Sequence, residues 1–129
     1  MNIDVEKIGK AISKLSKKAK NKSVIIYATG QYFQAIDKEF DLKEKFNIIG
    51  VSDGKFTPED EGQEFLGYKM IPKTKIDDYN PDFVLIAAVS FWEILEDFIS
   101  DAPKDSKTTY LPLVTPTIWE LIKQLFSNN

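Results

Sequence analysis

The stretch that decides the fold is SVIIYATG, at residues 23–30. After Ser23 it is a short apolar run rich in β-branched side chains, and it ends abruptly at Thr29 and Gly30. A continuous apolar run of this kind is typical of a strand that is buried on both faces of a parallel sheet. The glycine at its end indicates a turn into the next element. The stretch therefore predicts a central strand followed by a strand-to-helix turn.

Amphipathic helices are predicted on both sides of this strand. Before it, apolar residues recur at alternating steps of three and four, at Val5, Ile8, Ile12, Leu15 and Ala19. This spacing predicts a helix over residues 3–20, with Asp4 or Asn2 as its N-cap. After the strand, residues 31–45 return to helical spacing, and a second apolar strand follows at residues 46–51. Strand, helix and strand in this order are one unit of a parallel sheet.

The rest of the chain continues the alternation. The expected elements are a polar loop at residues 55–67, an edge strand at 68–71, a helical turn at 75–79, a buried strand at 82–89, a helix at 91–100, a strand at 107–113 and a C-terminal helix that Pro116 opens, with Trp119, Ile122 and Phe126. We therefore predict one α/β domain over residues 1–129. It is a three-layer sandwich with a mostly parallel sheet of four to five strands. An extra helix at 1–21 precedes the core at 22–113, and the last helix occupies 114–129.

The composition excludes several classes of site. The chain has no His, no Cys and no Arg, so it lacks a His general base, a Cys nucleophile, the soft metal ligands and the guanidinium group that holds phosphate in a bidentate way. No catalytic residue and no metal site is assigned. The absence of a long apolar run and of a secretory signal leads us to expect a cytoplasmic protein with no membrane span.

The N-terminal helix is strongly basic. Residues 1–22 contain seven lysines and two acidic residues, whereas the remainder of the chain is acidic. A basic helix can contact nucleic acid or anionic lipid, but this one has neither arginine nor interleaved aromatic residues. We therefore expect its lysines to be a solvated face, and we expect no nucleic acid partner.

Ligands of open parallel sheets bind beyond the carboxyl ends of the strands, where helix N-termini also point. In this chain, those positions are expected at residues 28–32, 52–54, 89–92 and 111–116. The candidate binding residues at these ends are Thr29, Gly30, Gln31, Tyr32, Asp53 and Ser90.

The sequence VIIYATGQYF at residues 24–33 resembles the phosphate-binding turn of Rossmann-like domains in nucleotide-sugar and surface-glycan biosynthesis proteins. These proteins include epimerase- or dehydratase-like, acetyltransferase N-terminal and methyltransferase-associated domains. Their phosphate-binding turn usually has the sequence Tyr-Gly-Ala-Gly and is followed by a helix. The resemblance continues through GVSD at 50–53, FLGYKMI at 65–71 and the strand at 82–88, and covers about residues 22–101. It implies that Gly30 lets the backbone approach a phosphate, that the amides of Gln31 and Tyr32 face that phosphate, and that Asp53 holds a ribose hydroxyl.

The same residues also have simpler interpretations. Gly30 could supply a positive φ at the turn, Asp53 could belong only to a turn with Gly54, and Ser90 could be a helix cap. Phe33 stands where the dinucleotide motif has its third glycine, so NAD or NADP in the usual pose is not expected. The acidic residues at 59–64 lack the order of a calcium loop, and we interpret them as a solvated loop.

Three functions remain open. None of the tyrosines has a lysine four residues later, as short-chain dehydrogenases require, and no nucleophile elbow is present. The first hypothesis is a domain that binds a nucleotide or nucleotide-sugar and is not catalytic alone. It either stands alone or belongs to a longer protein, with a larger enzyme's catalytic domain as its partner. The second is a Rossmann-like module for dimerisation, through the N-terminal helix or the helix with Trp119 and Phe126. The third is an enzyme completed by a partner, with Asp53, Ser90 and Tyr32 around one cavity.

Overall fold

The computed structural model describes residues 1–114. Its helices are α1 (Val5–Lys18), α2 (Gln31–Phe40), α3 (Leu42–Lys45) and α4 (Trp92–Asp101), with 3₁₀ segments at Pro58–Asp60 and Lys73–Tyr79. Its strands are β1 (Ser23–Tyr27), β2 (Asn47–Asp53), β3 (Glu64–Phe65), β4 (Tyr68–Pro72), β5 (Phe83–Ile86) and β6 (Thr109–Pro112). The predicted C-terminal helix with Trp119, Ile122 and Phe126 lies outside the described residues, and the extent of the domain stays a prediction.

The strands form one sheet in the order β3-β4-β2-β1-β5-β6. All paired neighbours are parallel except β3 and β4, which form a hairpin. When the parallel strands alone are counted along the chain, their order is 3-2-1-4-5, which is the order of the Rossmann fold. The predicted α/β class and mostly parallel sheet are therefore confirmed.

The segment at 55–67 differs from the predicted loop. It contains a 3₁₀ turn and the two-residue strand β3, so the described part of the sheet has six strands instead of four or five. The chain turns between β3 and β4 through Leu66 and Gly67, both with positive φ. The segment gives no apolar alternation because it is a short, exposed edge, and periodicity therefore could not reveal it.

Helix α1 forms as its pattern predicts. The Asp4 side chain caps it by accepting a hydrogen bond from the amide of Lys7 at 3.1 Å. Its apolar side is buried in the core through Ile8, Ile12 and Leu15. The prediction that these apolar residues form an association surface is therefore wrong, because they are buried in the core.

Two apolar layers sandwich the sheet. On one face, α1 and α2 cover β1 residues such as Val24 and Ile26. On the other face, α4 and the 3₁₀ segment Lys73–Tyr79 cover Ile25 and Tyr27. Because side chains of a strand alternate between faces, β1 is buried on both sides, as the SVIIY run predicts. Among the helices of residues 1–114, none is long and apolar enough to cross a membrane.

Candidate functional site

The candidate site is at the carboxyl edge of the sheet, between β1 and β5. The chain leaves β1 through α2 toward β2, and leaves β5 through α4 toward β6, so the strand order reverses between these two neighbours. A crevice opens at such a reversal in doubly wound sheets. Backbone bonds hold the edge together, because Ala28 donates to the carbonyl of Ser52 at 2.9 Å and Ala87 donates to that of Tyr27 at 2.8 Å.

A buried threonine and an acidic residue join the ends of β1 and β2. The amide and the hydroxyl of Thr29 both donate to Oδ2 of Asp53, at 2.9 and 2.8 Å. The other oxygen, Oδ1, accepts from the amide of Lys55 at 3.1 Å. Thr29 is fully buried, whereas Asp53 is partly exposed. Asp53 therefore fixes the turn that follows β1, which is more than the local turn with Gly54 that the sequence allowed.

The carboxylate of Asp53 is stabilised in its charged form. Partial burial by itself raises its pKa, but the hydrogen bonds from Thr29 and Lys55 and the charge of Lys55 lower it more. The net result is a pKa below the ordinary value of 3.8. Asp53 is thus an anion at neutral pH, with an exposed part that a ligand hydroxyl can reach.

Gly30 lies at the start of α2 and is exposed. Its φ is −79°, so the interpretation that it supplies a positive φ is wrong. Apart from its chain neighbours, no atom of the described residues lies within 4 Å of the position that a Cβ would take. No side chain in residues 1–114 caps α2, so its first amides, which begin at Gln31 and Tyr32, keep their donors free of side-chain partners.

The backbone strain at this turn is at Ala28. Its φ is +83°, in a region that glycine adopts easily and alanine does not. Ala28 occupies the position of the first glycine in the resembled Tyr-Gly-Ala-Gly turn. The left-handed residue of the turn is therefore two positions before Gly30.

We expect Ala28→Gly to stabilise the protein, by up to about 1.5 kcal/mol. Relief of the positive φ gains about 1–2 kcal/mol, and the greater backbone entropy of glycine in the unfolded chain offsets about 0.5–1 kcal/mol of it. Urea unfolding of both proteins measures the difference. A clear loss of stability in Ala28→Gly would contradict the interpretation that the positive φ strains the backbone at Ala28.

Two further predicted residues, Tyr32 and Ser90, take no part in the hydrogen bonds between Thr29 and Asp53. Tyr32 is half-buried, and burial raises the pKa of its hydroxyl. Ser90 is exposed and does not cap α4, because the N-cap is Phe91 and, within the described residues, no side chain bonds the first turn of α4. The cap prediction for Ser90 is wrong. Its part in ligand binding, like that of Thr29, Gly30, Gln31, Tyr32 and Asp53, stays a prediction.

The structure adds residues that sequence reasoning did not select. Tyr27 points to the second face, where burial and then the charge of Asp53 raise the pKa of its hydroxyl. The ammonium of Lys73 lies 5.7 Å from the centre of the Tyr27 ring. Ser52 is fully buried in the described part of the chain, and its Oγ has no hydrogen-bond partner there. Because Ser52 is inaccessible, its spacing of three residues from Lys55 does not make it a nucleophile.

Two of the acidic residues at 59–64, Asp60 and Glu61, accept hydrogen bonds within the fold. Asp60 accepts from the amide of Thr57 at 2.8 Å, and Glu61 accepts from the hydroxyl of Tyr79 at 2.8 Å. Across residues 1–114, no group of acidic side chains is placed to hold a metal ion. The Glu61–Tyr79 bond ties this segment to the 3₁₀ helix, so it is not simply a solvated loop.

Comparison with known proteins gives one family and several related folds. The model of the C2185-like N-terminal family matches residues 20–106. Among solved structures, the Rex-family repressor RSP is similar, with a TM-score of 0.46 and 16% identity over 98% of this chain and 66% of its own. The RSP complex with β-NADH has a TM-score of 0.46 and 17% identity, with the same coverage. No curated protein matches this chain.

A third RSP structure, with β-NAD+ and operator DNA, has a TM-score of 0.45 and 15% identity over 89% of this chain and 59% of that one. The chain thus spans less than two thirds of the length of the RSP chains. At these identities the likeness concerns the fold.

The DNA in that structure contradicts the expectation of no nucleic acid partner. That expectation treated the lack of arginine and of aromatic residues in the basic helix as grounds for exclusion. The grounds were insufficient, because lysines alone can contact phosphates without reading bases. The exclusion is therefore wrong.

Proposed function

This chain belongs to the C2185-like N-terminal family, and we propose that it is a Rossmann-like domain that binds a nucleotide or nucleotide-sugar at its carboxyl edge. The observation that carries the proposal is the open space at Gly30, where an uncapped helix N-terminus lies next to Thr29 and Asp53. Dinucleotide-binding domains place a pyrophosphate at the corresponding position.

The phosphate would bind at the start of α2. The amides of Gln31 and Tyr32 are among the first of the helix, where the helix dipole favours an anion. Gly30 adds no side chain, so the backbone can approach a phosphate closely. Gln34 supports the turn, because its side-chain amide donates to the carbonyl of Thr29 at 3.0 Å. The turn is therefore formed before any ligand arrives.

The ribose would bind at Asp53. A carboxylate has about four acceptor sites, and the fold uses three hydrogen bonds, of which Oδ1 receives one. Oδ1 therefore keeps acceptor capacity for a sugar hydroxyl. The two bonds from Thr29 fix the orientation of the carboxylate, which reduces the entropy that a ligand must lose on binding.

The resemblance to glycan biosynthesis proteins supports a nucleotide-sugar as the ligand and a larger enzyme's catalytic domain as the partner. The full burial of Phe33 against Tyr68, with ring centres 5.9 Å apart, supports a pose that differs from the usual NAD pose. A fully buried aromatic ring fills the space that the third glycine leaves for close helix-to-strand packing. We propose that this chain binds its ligand without turnover when alone.

A thermal-shift panel tests the proposal. Its ligands are NAD, NADH, NADP, S-adenosylmethionine, coenzyme A and UDP-, GDP-, CDP- and dTDP-sugars. A ligand at a hundred times its Kd stabilises by about 2.7 kcal/mol, which is a shift of several degrees for a domain of this size. We expect a positive shift with at least one nucleotide-sugar and its loss in Gly30→Val.

The control is Ser13→Val, which adds a branched side chain to an exposed position of α1. It should keep the ligand shift, and circular dichroism should show that both variants remain folded. A flat panel, or a shift that survives Gly30→Val, would overturn the proposed site. A flat panel together with a concentration-dependent dimer would instead favour an association module.

A further inference from the structure

Charge is strongly segregated in this protein. Residues 1–22 contain seven of its lysines and only Asp4 and Glu6 as acids, and the other residues contain ten lysines and 18 acids. A marked charge asymmetry along a chain often accompanies binding to a polyanion. The structure shows where these lysines lie, which the sequence alone could not do.

Four lysines of α1 follow a single line along the helix. Lys7, Lys10, Lys14 and Lys17 are three or four positions apart, so they are neighbours on the same side. Ile8, Ile12 and Leu15 occupy the opposite, buried side. At a rise of 1.5 Å per residue the line is about 15 Å long. We call these four residues the lysine row.

The exposed charge of the row comes from three of its four lysines. Lys10, Lys14 and Lys17 are exposed. Lys10 pairs with Glu6 at 3.3 Å, but their side chains are 78% and 83% exposed, and such pairs contribute little. The positive charge of these three lysines is therefore available to a partner.

The basic surface continues beyond the end of α1. A cleft of about 470 Å³ lies between the end of α1 and α3, and its lining includes Lys20, Asn21, Lys45 and Asn47 together with one acidic residue, Glu44. These residues lie near the amino ends of β1 and β2, because Asn47 begins β2 and Asn21 lies two residues before the start of β1. The surface is thus at the edge of the sheet opposite to Gly30.

We propose that the lysine row binds the phosphate backbone of duplex nucleic acid, without reading the base sequence. Lysine acts as a point charge toward phosphate, and a line of lysines on one helix matches a line of phosphates on one strand. Single-strand binders need aromatic stacking platforms, and α1 has no aromatic residue.

A membrane surface fits less well. Peripheral helices bury their apolar face in the lipid, but the apolar face of α1 packs in the protein core. The inference goes beyond the proposed nucleotide site, and because the lysine row on α1 shares no residue with the site at Thr29, Gly30 and Asp53, each can fail without the other.

Fluorescence polarisation with a labelled 20-bp duplex and the full chain, at 25 to 200 mM salt, tests the inference. The test variant combines Lys10→Gln, Lys14→Gln and Lys17→Gln. The control combines Lys38→Gln, Lys104→Gln and Lys107→Gln, which removes equal charge from exposed positions elsewhere. Vesicles that contain phosphatidylglycerol are the competing surface.

We expect the test variant to bind the duplex at least tenfold more weakly at 50 mM salt. The slope of log affinity against log salt should fall in magnitude by about two to three, since each lost phosphate contact removes about 0.9. The control should stay within about twofold of the parent, and an unchanged melting temperature shows that the variants are folded. No duplex binding at 25 mM salt, equal losses in both variants, or stronger binding to vesicles than to the duplex would each overturn the inference.

Discussion

Gly50→Ala is expected to destabilise the protein by about 1–3 kcal/mol, the usual cost of overfilling a packed core. A Cβ at Gly50 would come within 2.4 Å of Cδ1 and 2.9 Å of Cγ1 of Ile71, and within 2.9 Å of the carbonyl oxygen of Lys69. The last contact is with backbone of β4, which pairs with β2, so rotation of a side chain cannot relieve all of the overlap. Thermal and urea unfolding measure the loss, at roughly 3–6 °C for each kcal/mol.

Gly30→Ala is the matched control, since a Cβ there meets open space. It should cost less than Gly50→Ala. Ile71→Ala supplies a second check, because it removes both side-chain atoms that the new Cβ would meet. In that background Gly50→Ala should cost less than it does alone. Equal costs in the two backgrounds would show that Ile71 is not the obstacle.

Asp53→Ala is expected to destabilise the protein by about 2–6 kcal/mol. It removes the acceptor from the amide and the hydroxyl of the fully buried Thr29, and a buried donor without a partner costs about 1–3 kcal/mol. Asp82→Ala is a close control. Asp82 accepts from the amide and hydroxyl of Ser23 at 2.9 and 3.3 Å, but that pair is exposed, and water can replace it. The loss for Asp82→Ala should therefore be smaller.

The Asp53 carboxylate also has a pH signature. Its pKa is lowered in the folded protein from 3.8, so the unfolded chain takes up its proton first as the pH falls. The stabilising contribution is complete above about pH 4–5 and is lost as the pH falls through the folded pKa. Asp53→Asn should reduce the fall in unfolding free energy between pH 5 and pH 3, as measured by urea titration. If the unfolding free energy of Asp53→Asn falls between pH 5 and pH 3 as much as that of the parent, Asp53 is not stabilised as an anion.

The predictions for Gly50 and Asp53 concern opposite edges of β2, and they bear on function in different ways. Gly50 sets how closely β4 approaches β2, which is a property of the fold. Asp53 fixes the turn where we propose that a nucleotide binds. If Asp53→Asn keeps most of the stability and loses the ligand shift, its carboxylate contacts the ligand. If both are lost together, its part is to hold Thr29 in place.

The sequence by itself determined the strands β1, β2 and β5, helix α1 and the alternation that leads to a parallel sheet. It could do so because a strand buried on two faces must be a continuous apolar run, and because α1 buries residues at helical spacing. It also placed Gly30 and Asp53 at the carboxyl ends of β1 and β2.

Only the tertiary structure decided how those residues are used. The bonds between Thr29 and Asp53 join positions 24 residues apart, and no local pattern records such a pair. The same is true of the positive φ at Ala28, the two-residue strand β3 and the close approach of Ile71 to Gly50. Each depends on how neighbouring strands meet, whereas periodicity reports only which side of one element is apolar.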